Sequence, residues 1–145
     1  MSDSEEILVL GLGNTLREDE GAGVHTVRHL ANHYPDTAGM RFLDGGTGGL
    51  QLVGELVDAV GLIVVDAANT GAEPGAVRLY PDSAMDRFVA RRRGWSVHDA
   101  GLPDMLVAAR LMPEGIPPWR ALVTLEPAGF EWQEHPSEPV AAAIP

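Results

Sequence analysis

The chain has 145 residues, 45% of them apolar, with a mean hydropathy of −0.01. That length supports one domain with its own core, and the absence of cysteine excludes disulfides, thiolate metal sites and thiol nucleophiles. A formal charge of −11 argues against nucleic acid as a partner, because neutralisation of phosphates by Lys and Arg dominates that affinity.

No apolar run approaches a membrane span; the longest are 7–10 and 62–65. The start, Met1-Ser-Asp-Ser-Glu-Glu6, is the opposite of a basic export signal. A cytoplasmic location and no membrane partner are therefore the expectation. Any metal site must use oxygen and imidazole donors.

The first element is a strand at 6–12, Ile7-Leu-Val-Leu-Gly-Leu12, which enters a glycine turn at Gly11 and Gly13. A helix at 21–33 follows, with Val24, Val27, Leu30 and Ala31 at helical spacing. Next come a strand at 41–44 and a helix at 48–58 that repeats the pattern with Leu50, Val53, Leu56 and Val57. The run at 61–66 reads as a strand buried on both faces. Asn69, Gly71, Pro74 and Gly75 mark a loop into an edge strand at 76–80. Helices at 82–90 and 99–112, a break from Pro113 to Pro118 and a strand at 120–125 complete the order. Strands alternating with helices predict an α/β three-layer sandwich, with about five mostly parallel strands and helices on both faces. No repeat or second domain is visible, so residues 1–145 read as one domain.

Ligands of such sheets bind at the carboxyl ends of the strands, where this chain carries acids. Gly11-Leu-Gly-Asn14 begins like a dinucleotide turn, but Leu16 stands where the third glycine is needed. Glu18, Asp19 and Glu20 would repel a pyrophosphate. Asp19 also reads as an N-cap for the helix at 21. Asp66 closes Leu62-Ile-Val-Val-Asp66, and a carboxylate after four buried residues must be paired, hydrogen-bonded or metal-bound. Asp44 precedes Gly45, Gly46 and Thr47, a turn that lets backbone approach closely. These three acidic positions are expected to converge on one crevice. His98, before the last long helix, would complete a two-carboxylate, one-imidazole set with Glu20 and Asp66, suited to borderline divalent ions.

His25, His29 and His33, at i, i+4 and i+8 of one helix, are a rival metal set. They fall on the flank away from the apolar stripe, and nothing in sequence orients them. Ser96 near His98 lacks a nucleophile elbow. Arg91-Arg-Arg93 reads as a solvated loop, with a docking patch for a carboxylate as its functional alternative.

The chain resembles the NiFe-hydrogenase maturation proteases, endopeptidases that trim the C-terminus of the hydrogenase large subunit. The resemblance rests on Gly11-Leu-Gly-Asn-Thr-Leu-Arg-Glu-Asp-Glu-Gly21, Leu43-Asp-Gly-Gly-Thr-Gly-Gly-Leu50 and Ile63-Val-Val-Asp-Ala67. Pro74-Gly-Ala-Val77, Ser96-Val-His-Asp-Ala-Gly-Leu102 and Leu125-Glu-Pro127 follow in the family's order. It implies that Glu20, Asp66 and His98 bind metal, that Asp44 assists cleavage, and that Gly45, Gly46 and Thr47 shape the substrate cleft. It also implies that nickel arrives with the precursor and is read as a checkpoint, with zinc or cadmium able to substitute in the site. The protein is then expected to be a monomer whose partner is the large-subunit precursor.

Ser137-Glu-Pro-Val-Ala-Ala-Ala-Ile144 reads as a helix start with Ser137 as N-cap. Family members usually continue beyond position 145, so a shortened C-terminal helix is expected. Two alternatives compete: a nickel-sensing adaptor that does not cut, and a peptidyl-tRNA hydrolase. The latter also opens on Gly-Leu-Gly-Asn but continues differently from Thr15-Leu-Arg-Glu-Asp-Glu20, and the charge of −11 would repel tRNA.

Overall fold

The computed structural model describes residues 6–13, 18–34, 39–46, 52–68, 70–91, 101–113, 115–128 and 136–144, with the backbone alone at 18, 20, 91 and 101–104. Five strands are present: β1 Ile7–Leu12, β2 Met40–Gly46, β3 Gly61–Ala67, β4 Val77–Pro81 and β5 Trp119–Leu125. The helices are α1 Ala22–His33, α2 Val53–Val57, α3 Ser83–Arg91, α4 Gly101–Leu111 and α5 Glu138–Ala143. A single 3-10 turn, Glu18–Gly21, leads into α1.

The sheet runs in the order β2-β1-β3-β5-β4, and only β4, at one edge, is antiparallel. The period-two pattern of the strands sorts their side chains onto two cores. Leu8, Leu10, Leu62, Val64 and Leu122 face one side and pack with Leu56 of α2, Met85 of α3 and Met105 of α4. Val9, Val65 and Leu125 face the other side and pack with Ala22 and Val27 of α1 and Val140 of α5. Burying each such side chain contributes on the order of 1.5–3 kcal/mol. The expected sandwich is thus the one observed.

One expected element extends beyond the described residues, and one expectation finds a different answer. The helix read at 48–58 is described only as Val53–Val57, with 47–51 outside the described residues. The close-packing glycine absent at Leu16 is supplied elsewhere. A Cβ on Gly23 would lie 2.1 Å from the Val65 carbonyl oxygen and 2.6 Å from that of Leu12, and one on Gly11 would lie 2.4 Å from the Gly23 carbonyl oxygen. Glycine at 11 and 23 therefore lets α1 begin in direct contact with the carboxyl ends of β1 and β3, the role a dinucleotide turn gives to its third glycine.

Candidate active site

Strand order reverses between β1 and β3: β1 leads to β2 on one side, and β3 lies on the other. Ligands of open α/β sheets bind at such a switch point, outside the carboxyl ends of the strands. Asp66 sits there, in the sixth position of β3, with 1% of its surface exposed. Its Oδ1 accepts a 2.8 Å hydrogen bond from the Ala67 amide. The 3-10 turn that contains Glu20 packs against the same strand end. The sequence has thus brought the Glu20 backbone to the strand that carries Asp66. The Glu20 side chain, His98, Thr47, Ser96 and Arg92-Arg93 lie outside the described residues.

Asp44 lies at the same edge but not in the same position. It pairs in register with Gly11, as does Val65 on the other side, so two strand spacings, about 10 Å, separate β2 from β3. Side-chain alternation phases Asp44 with Phe42 on the α1 face, and Asp66 with Leu62 and Val64 on the opposite face. The expected convergence of the acids therefore holds for the edge and fails for the face.

Both Asp44 oxygens are engaged. Arg28 of α1 grips Oδ2 through Nε at 3.0 Å and Nη2 at 2.8 Å, and Oδ1 accepts the Gly46 amide at 3.1 Å. Register slips directly after this residue, since Gly11 pairs with Asp44 and Leu12 with Gly46. That bulge aims the strand end away from the sheet. Gly46 has φ of +50°, and a Cβ on Gly45 would lie 2.8 Å from Leu10 Cδ1 and 2.9 Å from Leu52 Cδ1. What presses closely on Gly45 is the core itself.

The other acids at this edge serve the fold. Asp19, fully buried, does not cap α1, whose N-cap Gly21 receives no side-chain bond. It reaches across the chain instead, accepting the Ala128 and Ser137 amides and the Ser137 hydroxyl, each at 2.6 Å. The helix dipole invited a local cap, and the distant amides, which have no strand partner, took the carboxylate. Ser137 keeps its N-cap position but donates its hydroxyl to Asp19. Glu126, 3% exposed, accepts the Thr70 and Ala72 amides and the Thr70 hydroxyl. It pins the loop that follows Asp66. Glu126 was legible only as part of Leu125-Glu-Pro127, and Arg28 gave no signal beyond its place beside the apolar stripe of α1.

The histidine helix does not present a ligand set. His29 and His33 stack with ring centroids 4.0 Å apart, and His33 Nδ1 donates to the His29 carbonyl at 2.9 Å. Among the described residues no group of three or more His, Asp or Glu is placed to hold an ion. No helix among them is long and apolar enough to cross a membrane.

The family profile described as hydrogenase maturation protease matches residues 24–145. The chain belongs to this family. It is 38% identical over 130 residues to the hydrogenase expression/formation protein HupD of Bradyrhizobium diazoefficiens, covering 90% of this chain and 67% of that protein. It is 35% identical over 126 residues to the Hydrogenase 2 maturation protease of Escherichia coli, covering 86% of this chain and 75% of that one. Among solved structures it superposes on the hydrogenase maturating endopeptidase HybD from E. coli with a TM-score of 0.86 at 33% identity, over 96% of this chain and 85% of that one. The chain spans about half to two thirds of the length of most curated relatives it matches. Membership displaces the peptidyl-tRNA hydrolase alternative.

Proposed function

We propose that this protein is a processing endopeptidase that removes the C-terminal extension of a NiFe-hydrogenase large-subunit precursor after nickel has been inserted. The observation that carries the reading is the buried Asp66 carboxylate at the β1/β3 switch point, with the turn bearing Glu20 packed against the same strand end. A carboxylate at 1% exposure is retained at a ligand-binding edge when something there engages it. By chemistry, Glu20, Asp66 and His98 would supply two oxygen donors and one nitrogen, a set suited to nickel carried by the precursor, or to zinc or cadmium in its place. In this reading the nickel belongs to the substrate, and these three residues read its presence.

Asp44 is the hydrolytic carboxylate. It takes a proton from the water that adds to the scissile carbonyl and returns it to the amine that leaves as the C–N bond breaks. Its separation from Asp66, two strands away on the other phase of the pleat, supports a division of labour. One acid belongs to metal recognition and the other to hydrolysis. Arg28 and the Gly46 amide hold the Asp44 carboxylate in one orientation, which is the form such a base needs. The protein acts as a monomer in the cytoplasm.

The test is the intact mass of the precursor after incubation with the protein, nickel-loaded in one arm and nickel-free in the other. Shortening of the loaded form alone is the expected result, with Asp66→Asn abolishing it while leaving the far-UV spectrum unchanged. Equal shortening of both forms would overturn the checkpoint. Tight binding with no shortening of either would establish the adaptor reading instead.

A further inference from the structure

Asp44 lies on β2, an outermost strand of the sheet, and the direction of that strand's own backbone groups follows from two hydrogen bonds. The Ile7 amide donates to the Gly39 carbonyl at 2.8 Å, and the Gly13 amide donates to the Gly46 carbonyl at 2.9 Å. In a parallel ladder, alternate residues of a strand turn both backbone groups toward the same neighbour. Ile7, Val9 and Gly11 therefore bond to β2. The residues opposite them in register, Met40, Phe42 and Asp44, must turn their N–H and C=O groups outward. No described strand lies on that side. The hydrolytic carboxylate thus shares a residue with an outward-facing amide and carbonyl.

We infer that the scissile segment of the precursor binds as an added strand along β2, pairing with the outward backbone groups of Phe42 and Asp44. This inference rests on the reading of Asp44 as the hydrolytic residue. Three observations favour β2 as the receiving edge. An added strand lies about 4.8 Å from its neighbour, which brings its peptide units alongside Asp44. The bulge after Asp44 is followed by Gly46, where even an added Cβ would meet only Asp44 Oδ1, at 3.8 Å, so that position does not crowd a chain beside the strand end. The opposite edge strand, β4, is separated from β2 by three strands, about 19 Å away, and ends in Pro81, which has no amide to donate. Main-chain pairing supplies affinity without demanding particular side chains. It also holds the substrate backbone extended, so that one carbonyl meets the carboxylate.

The experiment is amide hydrogen exchange, read residue by residue, on the full-length Asp44→Asn variant, free and bound to nickel-loaded precursor. In the free protein the amides of 42 and 44 should exchange quickly, while those of Arg41 and Leu43, bonded to β1, exchange slowly and report that the strand is folded. In the complex the amides of 42 and 44 should slow by about tenfold or more. Formation of the complex, seen by gel filtration, with both amides still exchanging at their free rates would overturn the added strand, as would protection appearing along β4 instead. Absence of any complex would overturn it too. The endopeptidase reading fails separately, if wild-type protein protects these amides but leaves the precursor at full mass.

Discussion

The two ends of the sheet make an instructive pair. At the amino edge, Ile7, Gly61, Leu62, Ile63, Trp119 and Ala121 line an apolar cleft of about 420 Å³, and Trp119 is 71% exposed. The charges beside it are spent on one another: Asp86 binds both arms of Arg120 and meets Arg110 at 3.3 Å. At the carboxyl edge the described residues carry more chemistry. Asp19, Asp66 and Glu126 are buried within a few residues of the strand ends, and Asp44 stands exposed beside Arg28. Among the described residues, the apolar cleft and the clustered acids mark opposite ends of the sheet. The carboxyl edge is marked by carboxylates gathered at the switch point, three buried on backbone amides and one exposed on Arg28.

Substitutions at the two ends should separate stability from activity. The largest effect is expected for Asp19→Ala, which leaves the Ala128 and Ser137 amides without their acceptor at about 1–3 kcal/mol for each. Urea unfolding should show that loss, and precursor processing should fall with it, because Asp19 adjoins Glu20. A variant that keeps full stability would show that these bonds are readily replaced by water.

Asp86→Asn, at the amino edge, should cost about 1–3 kcal/mol with no change in the processing rate of the folded protein. Hydrogen bonding from Arg120, with the nearby positive charges of Arg120, Arg110 and Arg87, outweighs burial and holds the Asp86 carboxyl below the usual carboxylate range. The same pairing raises Arg120 above its ordinary value. Since the folded-state value of Asp86 is depressed, its contribution is present above the unfolded value near 3.8 and is lost as pH falls through the lower folded value. Wild-type stability should therefore drop more steeply in acid than that of the variant. Parallel acid curves would remove Asp86 from the account.

The smallest change in stability is expected for Arg28→Ala. An exposed pair contributes about 1 kcal/mol or less, so the unfolding midpoint should barely move. Cleavage should nevertheless slow through kcat, because the Asp44 carboxylate loses the grip that orients it, and Arg28→Lys should restore part of the rate. Unchanged kcat in Arg28→Ala would break the contrast between an end that stabilises and an end that works.

Much of this was legible in the chain itself. Apolar runs of period two and 3.6 placed every strand within a residue or two of its observed position, because burial on a sheet or helix face imposes those periods on the sequence. Acids directly after such runs marked the carboxyl edge for the same reason. The part that escaped depends on partners far apart along the chain. Asp19 reads as a local cap until the amides of Ala128 and Ser137 arrive beside it. Arg28 and Asp44 are unremarkable until α1 lies across β2.

The sequence by itself therefore determined the fold class, the edge that carries the chemistry and the short set of acids from which a site is built. Only the tertiary structure decided which acids hold loops, which one stays exposed, and that Asp44 and Asp66 point to opposite sides of the sheet. The physical reason is that periodicity and local chemistry act over a few residues, whereas register, strand order and hydrogen-bond partnership are set by whichever distant groups the packed core brings into reach.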